Sequence, residues 1–361
     1  MNQTVHVDLG NRAYDVIVGE QLLASTGEFV AKLGLGKRCA IVTDSNVGPL
    51  FLETVENSLK EAGIHTSIVT IPAGEASKSM NVAEDVCRQL LRAGLDRKSF
   101  VVALGGGVIG DLAGFCAAIL NRGVPFVQIP TTVVSLVDSS VGGKTGVNAP
   151  EGKNLIGAFH QPSLVIADVD TLKTMPNREY REGFAEVIKH AAIRDSAMFD
   201  LIEAQGPDNR DGLVPLIARN VAIKARVVEE DEKETSGVRA LLNFGHTIGH
   251  GFEGAAGYGQ LLHGEAVSIG LMAALRLSER ISGLPTDQSE RVQQLLAAFD
   301  LPQNVSNAIN AANVLNLLSR DKKFEEGRIR FVLLRELGDA FVSEEVSQAD
   351  IEREVERLIL V

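Results

Sequence analysis

Cysteine, positive charge and long apolar runs are all scarce in this chain, and each scarcity closes off a class of protein. The three cysteines, Cys39, Cys87 and Cys116, are scattered and form no C-x-x-C pair. That argues against a disulfide framework and fits a reducing, cytoplasmic setting. No stretch reaches the ~18 uninterrupted apolar residues of a membrane span. The opening Met1-Asn2-Gln3-Thr4-Val5-His6 has neither a basic nor an apolar leader region, so no signal peptide is expected. Lys and Arg number 35 against 47 Asp and Glu, a net charge of −12. An acidic chain attracts neither nucleic acid nor anionic lipid, so an anionic ligand must be met by a local cluster of cations. Neither a repeat of fixed period nor a low-complexity tract is visible. What remains is ordinary: 45% hydrophobic and 23% charged residues over 361 positions, enough for a soluble protein of about two domains.

Residues 5–18 alternate around Gly10-Asn11 and predict a β-hairpin. From Arg38 to Pro130 short apolar strands (39–43, 64–71, 100–104, 126–130) alternate with helical spacing at 47–62, 82–92 and 110–121. This pattern predicts a parallel sheet with helices on both faces. Beyond Pro176 long helical patterns follow one another at 178–204, 211–232, 240–253, 264–282, 286–299 and 308–320, interrupted by a hairpin at 328–343. We therefore expect an α/β domain at 1–175 and a mostly helical one at 176–361, with a ligand in the cleft between them.

After the strand ending at Leu104 comes Gly105-Gly106-Gly107-Val108-Ile109-Gly110-Asp111, a G-x-G-x-x-G at a strand-to-helix junction. Glycines there let backbone approach a pyrophosphate at a helix N-terminus. Yet this is the third strand of its domain, and no acidic residue ends a strand some 20 residues later, as a standard dinucleotide fold would have it. A tight turn leaves the same pattern. Ribose and adenine contacts would come from Asp44 in Thr43-Asp44-Ser45-Asn46 and from Gly74-Glu75-x-x-Lys78, both after strands; surface caps use the same residue types.

Gly245-His246-Thr247-Ile248-Gly249-His250 sets two imidazoles at i and i+4 on one helix face. Zincin proteases share that spacing, but Thr247 stands where their general-base glutamate would be. His263 follows thirteen residues after His250, in Leu262-His263-Gly264-Glu265. Such clustering points to a divalent metal. Glu186 and His190, one turn apart in Ala185-Glu186-Val187-Ile188-Lys189-His190, can each supply a third ligand. Glu186 could equally form a surface salt bridge with Lys189, and spacing does not choose. Gly142-Gly143-Lys144-Thr145-Gly146 and Gly152-Lys153-Asn154 read as glycine-flanked lysines in loops; the first lacks the leading spacing of a phosphate loop, which excludes an NTPase. Arg122, Lys144, Lys153, Lys189, Lys224 and Arg239 are the candidates for the cation cluster.

From about Asp44 to Lys323 these motifs together resemble the 3-dehydroquinate synthase family, within the sugar phosphate cyclases. The segments that carry the resemblance are 105–115, 137–145, 152–159, 185–190, 242–250, 262–267 and Asp321-Lys322-Lys323. It implies a dehydroquinate synthase-like fold, with Glu186, His246 and His263 holding Zn²⁺ (or Co²⁺). NAD would meet Asp44, Asn46, Glu75, Lys78, Gly106, Gly107, Asp111, Thr131 and Thr132, with Asp138, Lys144 and Lys153 shared with the substrate. Asn154, Lys189, Lys224, Arg239, Asn243, His250 and Lys322 or Lys323 would complete the substrate shell. Arg122 would hold the phosphate, acting across a homodimer interface. Glu234 and Arg239 lie five positions apart, one more than the family pattern.

The implied reaction converts 3-deoxy-D-arabino-heptulosonate 7-phosphate into 3-dehydroquinate and phosphate. Transient oxidation by NAD is followed by phosphate elimination, re-reduction and intramolecular aldol closure. That is a carbon–oxygen lyase of the shikimate pathway, toward chorismate and the aromatic amino acids. Another sugar phosphate cyclase and a metal-dependent polyol dehydrogenase are the rival readings. The dehydrogenase would accumulate NADH, whereas a cyclase recycles it.

Overall fold

The computed structural model describes residues 2–257, 259–319 and 330–360. The chain forms two compact units, one made of Met1–Met175 and Gly212–Glu229, the other of Pro176–Asp211 and Glu230–Val361. The expected division at 175 therefore needs one correction. Residues 212–229, read from their helical pattern as part of the second half, belong with the first. Their side chains explain it: Lys224 reaches Asp138 (Nζ to Oδ1, 2.6 Å), and Glu229 accepts the Asp8 N–H (2.8 Å).

The first unit is built on a seven-stranded sheet. Its strands are β1 (Gln3–Val7), β2 (Tyr14–Gly19), β3 (Arg38–Asp44), β4 (His65–Ile71), β5 (Phe100–Gly105), β6 (Phe126–Pro130) and, after a separate hairpin described below, β9 (Leu164–Asp168). They lie in the order β1-β2-β9-β6-β5-β3-β4, with only β1 antiparallel to its neighbour. Successive residues point to opposite faces, and both faces of the inner strands are covered, which is why β5, β6 and β9 are buried at every position. Cys39, Ile41, Phe100, Val102 and Leu104 pack on one side with residues of α1 (Thr26–Lys32) and α2 (Gly48–Glu61). Ala40, Val42, Val101 and Ala103 pack on the other with α3 (Met80–Arg92) and α4 (Gly107–Ile119).

Between β6 and β9 the chain forms a two-stranded hairpin, β7 (Lys144–Ala149) and β8 (Gly152–Phe159). Both lysine motifs, read as loops, are thus strands: Lys144 opens β7 and Lys153 is second in β8. Their glycines and exposed side chains hide the period-2 pattern that marks a half-buried strand.

The second unit is mostly helical. The run expected at 178–204 is three helices, α5 (Asn177–Glu182), α6 (Phe184–Arg194) and α7 (Met198–Gln205), interrupted at Gly183 and at Asp195. The helix read at 211–232 is α8 (Val214–Glu230), whose residues to Glu229 belong to the first unit. The helix expected at 240–253 begins as a 3₁₀ turn, Arg239–Asn243, and restarts as α9 (His246–Ala256). Among the described residues four more helices follow: α10 (His263–Ser282), α11 (Thr286–Ala298), α12 (Ala311–Leu318) and α13 (Gln348–Leu358). The late hairpin is β10 (Phe331–Glu336) with β11 (Asp339–Ser343); the expected residues 328 and 329 lie outside the described residues, as do Lys322 and Lys323. No helix among the described residues is long and apolar enough to cross a membrane.

Candidate active site

In the first unit the chain passes from β3 outward to β4 and then returns to the other side of β3 as β5. That reversal makes a switch point, and the carboxyl ends of its two strands carry Asp44 and Gly105-Gly106-Gly107. Open α/β sheets bind ligands there, so the placement that looked irregular in sequence is the usual one in space. Gly106 caps α4 and Gly107 opens it, so the first-turn N–H groups have no partner within the helix. A Cβ at Gly106 would stand 3.1 Å from Thr132 Cγ2, and one at Gly107 would stand 3.3 Å from Ser139 Oγ. This bare, donor-rich cradle suits a pyrophosphate.

Around it the candidate residues are tied to one another. Asp44 Oδ1 accepts the N–H groups of Asn46 (2.8 Å) and Val47 (2.9 Å), which fixes the loop after β3. Lys78, almost buried, pairs with Asp111 in the first turns of α4 at 2.5 Å. Burial pushes the Asp111 carboxyl up, against the pull of that ammonium. Thr131 is buried where β6 ends, and Thr132 exchanges hydrogen bonds with Ser135. Asp138 lies in a π-helical turn, Ser135–Ser139, where Lys224 donates to it; such turns recur at functional sites. Lys144, Lys153 and Asn154 are exposed on the β7–β8 hairpin. Arg122 is exposed just past α4, and both it and Asn121 hold left-handed backbone (φ +71° and +52°).

In the second unit Glu186, His246 and His263 come together, each with a ligand atom within 4.8 Å of the others. Close packing of α9 on α10 makes this possible. A Cβ at Gly249 would lie 2.7 Å from the Ala266 carbonyl oxygen, and one at Gly270 would overlap the carbonyl oxygen of Gly245. Glu186 Oε1 faces His246 Nε2 at 3.2 Å and His263 Nε2 at 3.1 Å. Its other oxygen meets the Lys189 ammonium, so the expected pair with Lys189 exists but is fully buried rather than on the surface. Burial raises the Glu186 carboxyl, but Lys189 and the imidazoles outweigh it and hold it well below the usual range.

The donor set fits a divalent cation. His246 Nδ1 lies 3.2 Å from the Phe244 carbonyl, an acceptor only, so the proton sits on Nδ1 and a lone pair on Nε2 faces the carboxylate oxygen. Two lone pairs directed at one point call for a positive charge between them. His190, the alternative third ligand, is buried one turn along and is not part of this group. The exposed His250 has its ring centroid 5.2 Å from that of His246 and 5.9 Å from that of His263.

Arg239 is buried beside this group's chain segment, donating to the Glu232 carbonyl (2.6 Å), with Nε 3.8 Å from Glu234. Asn243 ends the same 3₁₀ turn. The longer Glu234–Arg239 interval is organised by Asp231, absent from the sequence reading, whose carboxylate accepts the N–H groups of Thr235, Ser236, Gly237 and Arg239. Two further carboxylates escaped it as well. Glu253 Oε2 is 3.8 Å from His263 Nδ1, three positions after His250 on α9, a spacing that could have flagged it. Glu182 accepts the Gly264 N–H (2.6 Å), and burial pushes its carboxyl up to about 7.

Residues 68–182 match the family model for the 3-dehydroquinate synthase N-terminal region, and residues 183–324 match the one for its C-terminal region. A curated 3-dehydroquinate synthase from Caulobacter vibrioides is 48% identical over 359 residues, 97% of each chain. The chain belongs to the 3-dehydroquinate synthase family. Another member, from Acidithiobacillus ferrooxidans, is 47% identical over 96% of this chain and 95% of its own. Among solved structures, a 2-epi-5-epi-valiolone synthase from Streptomyces hygroscopicus with NAD⁺ and Zn²⁺ bound superposes with a TM-score of 0.86. It is 31% identical, with 96% of each chain covered. The dehydroquinate synthase-like fold, parallel sheet first and helices after, is thereby shared across the whole molecule.

Proposed function

We propose that the chain is a cytoplasmic, homodimeric carbon–oxygen lyase that converts 3-deoxy-D-arabino-heptulosonate 7-phosphate into 3-dehydroquinate and inorganic phosphate, in the shikimate pathway toward chorismate and the aromatic amino acids. The observation that carries this is the near-full-length likeness to curated 3-dehydroquinate synthases, which exceeds the likeness to the valiolone-forming cyclase. The converging Glu186, His246 and His263 accord with it.

When bound, NAD supplies a reversible hydride acceptor and a divalent cation supplies Lewis-acid polarisation of substrate hydroxyls. Glu186, His246 and His263 would hold the cation. Asp44, Asn46, Glu75, Lys78, Gly106, Gly107, Asp111, Thr131 and Thr132 would hold NAD. The cation cluster of Lys144, Lys153, Lys189, Lys224 and Arg239, with Asp138, Asn154 and Asn243, fixes the substrate carboxylate and hydroxyls in one orientation. Arg122, acting across the homodimer interface, holds the phosphate. Such positioning contributes on the order of several kcal/mol to lowering the barrier. The exposed imidazole of His250, one turn from His246 on α9, is placed to relay protons.

A paired assay with the heptulosonate phosphate, Zn²⁺ and catalytic NAD tests this. Phosphate released in many-fold excess over NAD, with no lasting NADH absorbance, is the expected result. Stoichiometric NADH without phosphate would instead make the protein a polyol dehydrogenase. Phosphate release only from a different sugar phosphate would make it another cyclase.

A further inference from the structure

The expected cofactor loop at Glu75–Lys78 and the start of β8 meet at one side chain, Asn148. It occupies the irregularity in the β7–β8 ladder between Val147 and Ala149, where a bulge lifts a residue out of register and re-aims it. Freed from the ladder, Asn148 N–H donates to the Lys78 carbonyl (2.9 Å), and Asn148 bridges to Ser79 in parallel fashion. Its side-chain Nδ2 donates to Glu75 Oε1 at 2.7 Å. Its Oδ1 accepts the N–H of Asn154 at 2.9 Å. Asn154 holds left-handed backbone (φ +58°), a conformation costly for most residues unless its surroundings fix it. Glu75 is an acceptor and the Asn154 N–H a donor, so a primary amide satisfies both at once. Aspartate would set a second carboxylate against Glu75, and a hydrocarbon would satisfy neither.

We propose that Asn148 is a positioning residue that couples the cofactor loop at Glu75–Lys78 to the substrate-binding start of β8 at Lys153–Asn154. It touches neither ligand. The inference rests on the functional reading above, in which the Glu75–Lys78 loop meets NAD and Asn154 meets the sugar phosphate. Through Lys78 the link extends to Asp111 and the first turns of α4. Ordering one segment by its ligand lowers the ordering cost of the other, so the two ligands bind with positive cooperativity.

The test uses the full-length, zinc-loaded protein. NAD is titrated alone by calorimetry, and initial rates are then measured over a grid of NAD and heptulosonate phosphate concentrations. For wild type the apparent KM for NAD is expected to fall as the sugar phosphate rises. Asn148→Ala should raise the NAD dissociation constant and the sugar phosphate KM together, each on the order of tenfold, and abolish their interdependence. Asn154→Gly, which keeps the backbone N–H in its left-handed conformation, should raise only the sugar phosphate KM. Asn148→Asp should raise the NAD constant more than the KM, because it keeps the acceptor for Asn154, and it serves if the alanine variant does not fold. A hairpin brace would lower the melting temperature yet leave both constants at wild-type values in the folded fraction. That result, or a raised KM with unchanged NAD binding, overturns the proposal. Wild-type protein that neither binds NAD nor releases phosphate would overturn the functional reading itself, and this inference with it.

Discussion

Glu186 shows what a single buried carboxylate has to reconcile. Two imidazole nitrogens and one ammonium converge on it, and it has no access to water. Glu186→Gln removes the charge while nearly conserving the volume. It should leave Lys189 without its counter-ion, lower stability by about 3 kcal/mol or more, and strip most of the zinc from the purified protein. Metal analysis with thermal unfolding checks both effects, and zinc at one per chain in the variant would remove Glu186 from the ligand set. Asp231 offers a pH test. Burial pushes its carboxyl up, but the four backbone N–H groups prevail and bring it down to about 2, below the ~3.9 of an unfolded chain. Its stabilisation is therefore complete above about pH 4 and is lost as pH falls through about 2. Asp231→Asn should melt several degrees lower at pH 7, with the gap closing near pH 2; a gap that persists in acid would mean the carboxylate charge is not what holds the loop.

Element by element, the sequence revealed whatever periodicity encodes. The buried strands β3, β5 and β6 were legible as apolar runs, and the His246–His250 spacing was legible as one face of a helix, α9. The β7–β8 hairpin was not, because β8 is exposed along most of its length and the buried residues of β7, Thr145 to Val147, are consecutive rather than alternate, so neither strand shows a period of two. Nor could spacing choose between Glu186 and His190, since both lie on the same buried helix; the choice depends on where α9 and α10 pass. Asn148 and Asp231 stayed hidden for a related reason, because their partners are mostly backbone groups, which leave no mark in sequence. The close crossing of α9 on α10 has its own test. Gly270→Ala forces the helices apart at Gly245, next to His246, and should lower both melting temperature and zinc affinity while leaving NAD binding intact. Unchanged zinc affinity would show that the histidines are positioned independently of the crossing.

For the whole molecule, the net charge of −12 places the burden of anion binding on a few lysines and arginines rather than on a general field. The same economy holds for the metal, for which one group, Glu186 with His246 and His263, is proposed. A chelator should therefore abolish turnover, and added Zn²⁺ or Co²⁺ should restore it; turnover that resists chelation would exclude a metal from the reaction. The return of residues 212–229 to the first unit bears on how the protein is made. During synthesis, Asp138 emerges long before Lys224, its partner 86 residues later, and Asp8 waits still longer for Glu229. The first unit is thus not finished when its own leading segment leaves the ribosome, and part of the second is already translated by then. A gene cut at codon 175 would yield a polypeptide missing one of its own helices, whereas one that supplies residues 212–229 through a short linker would restore it.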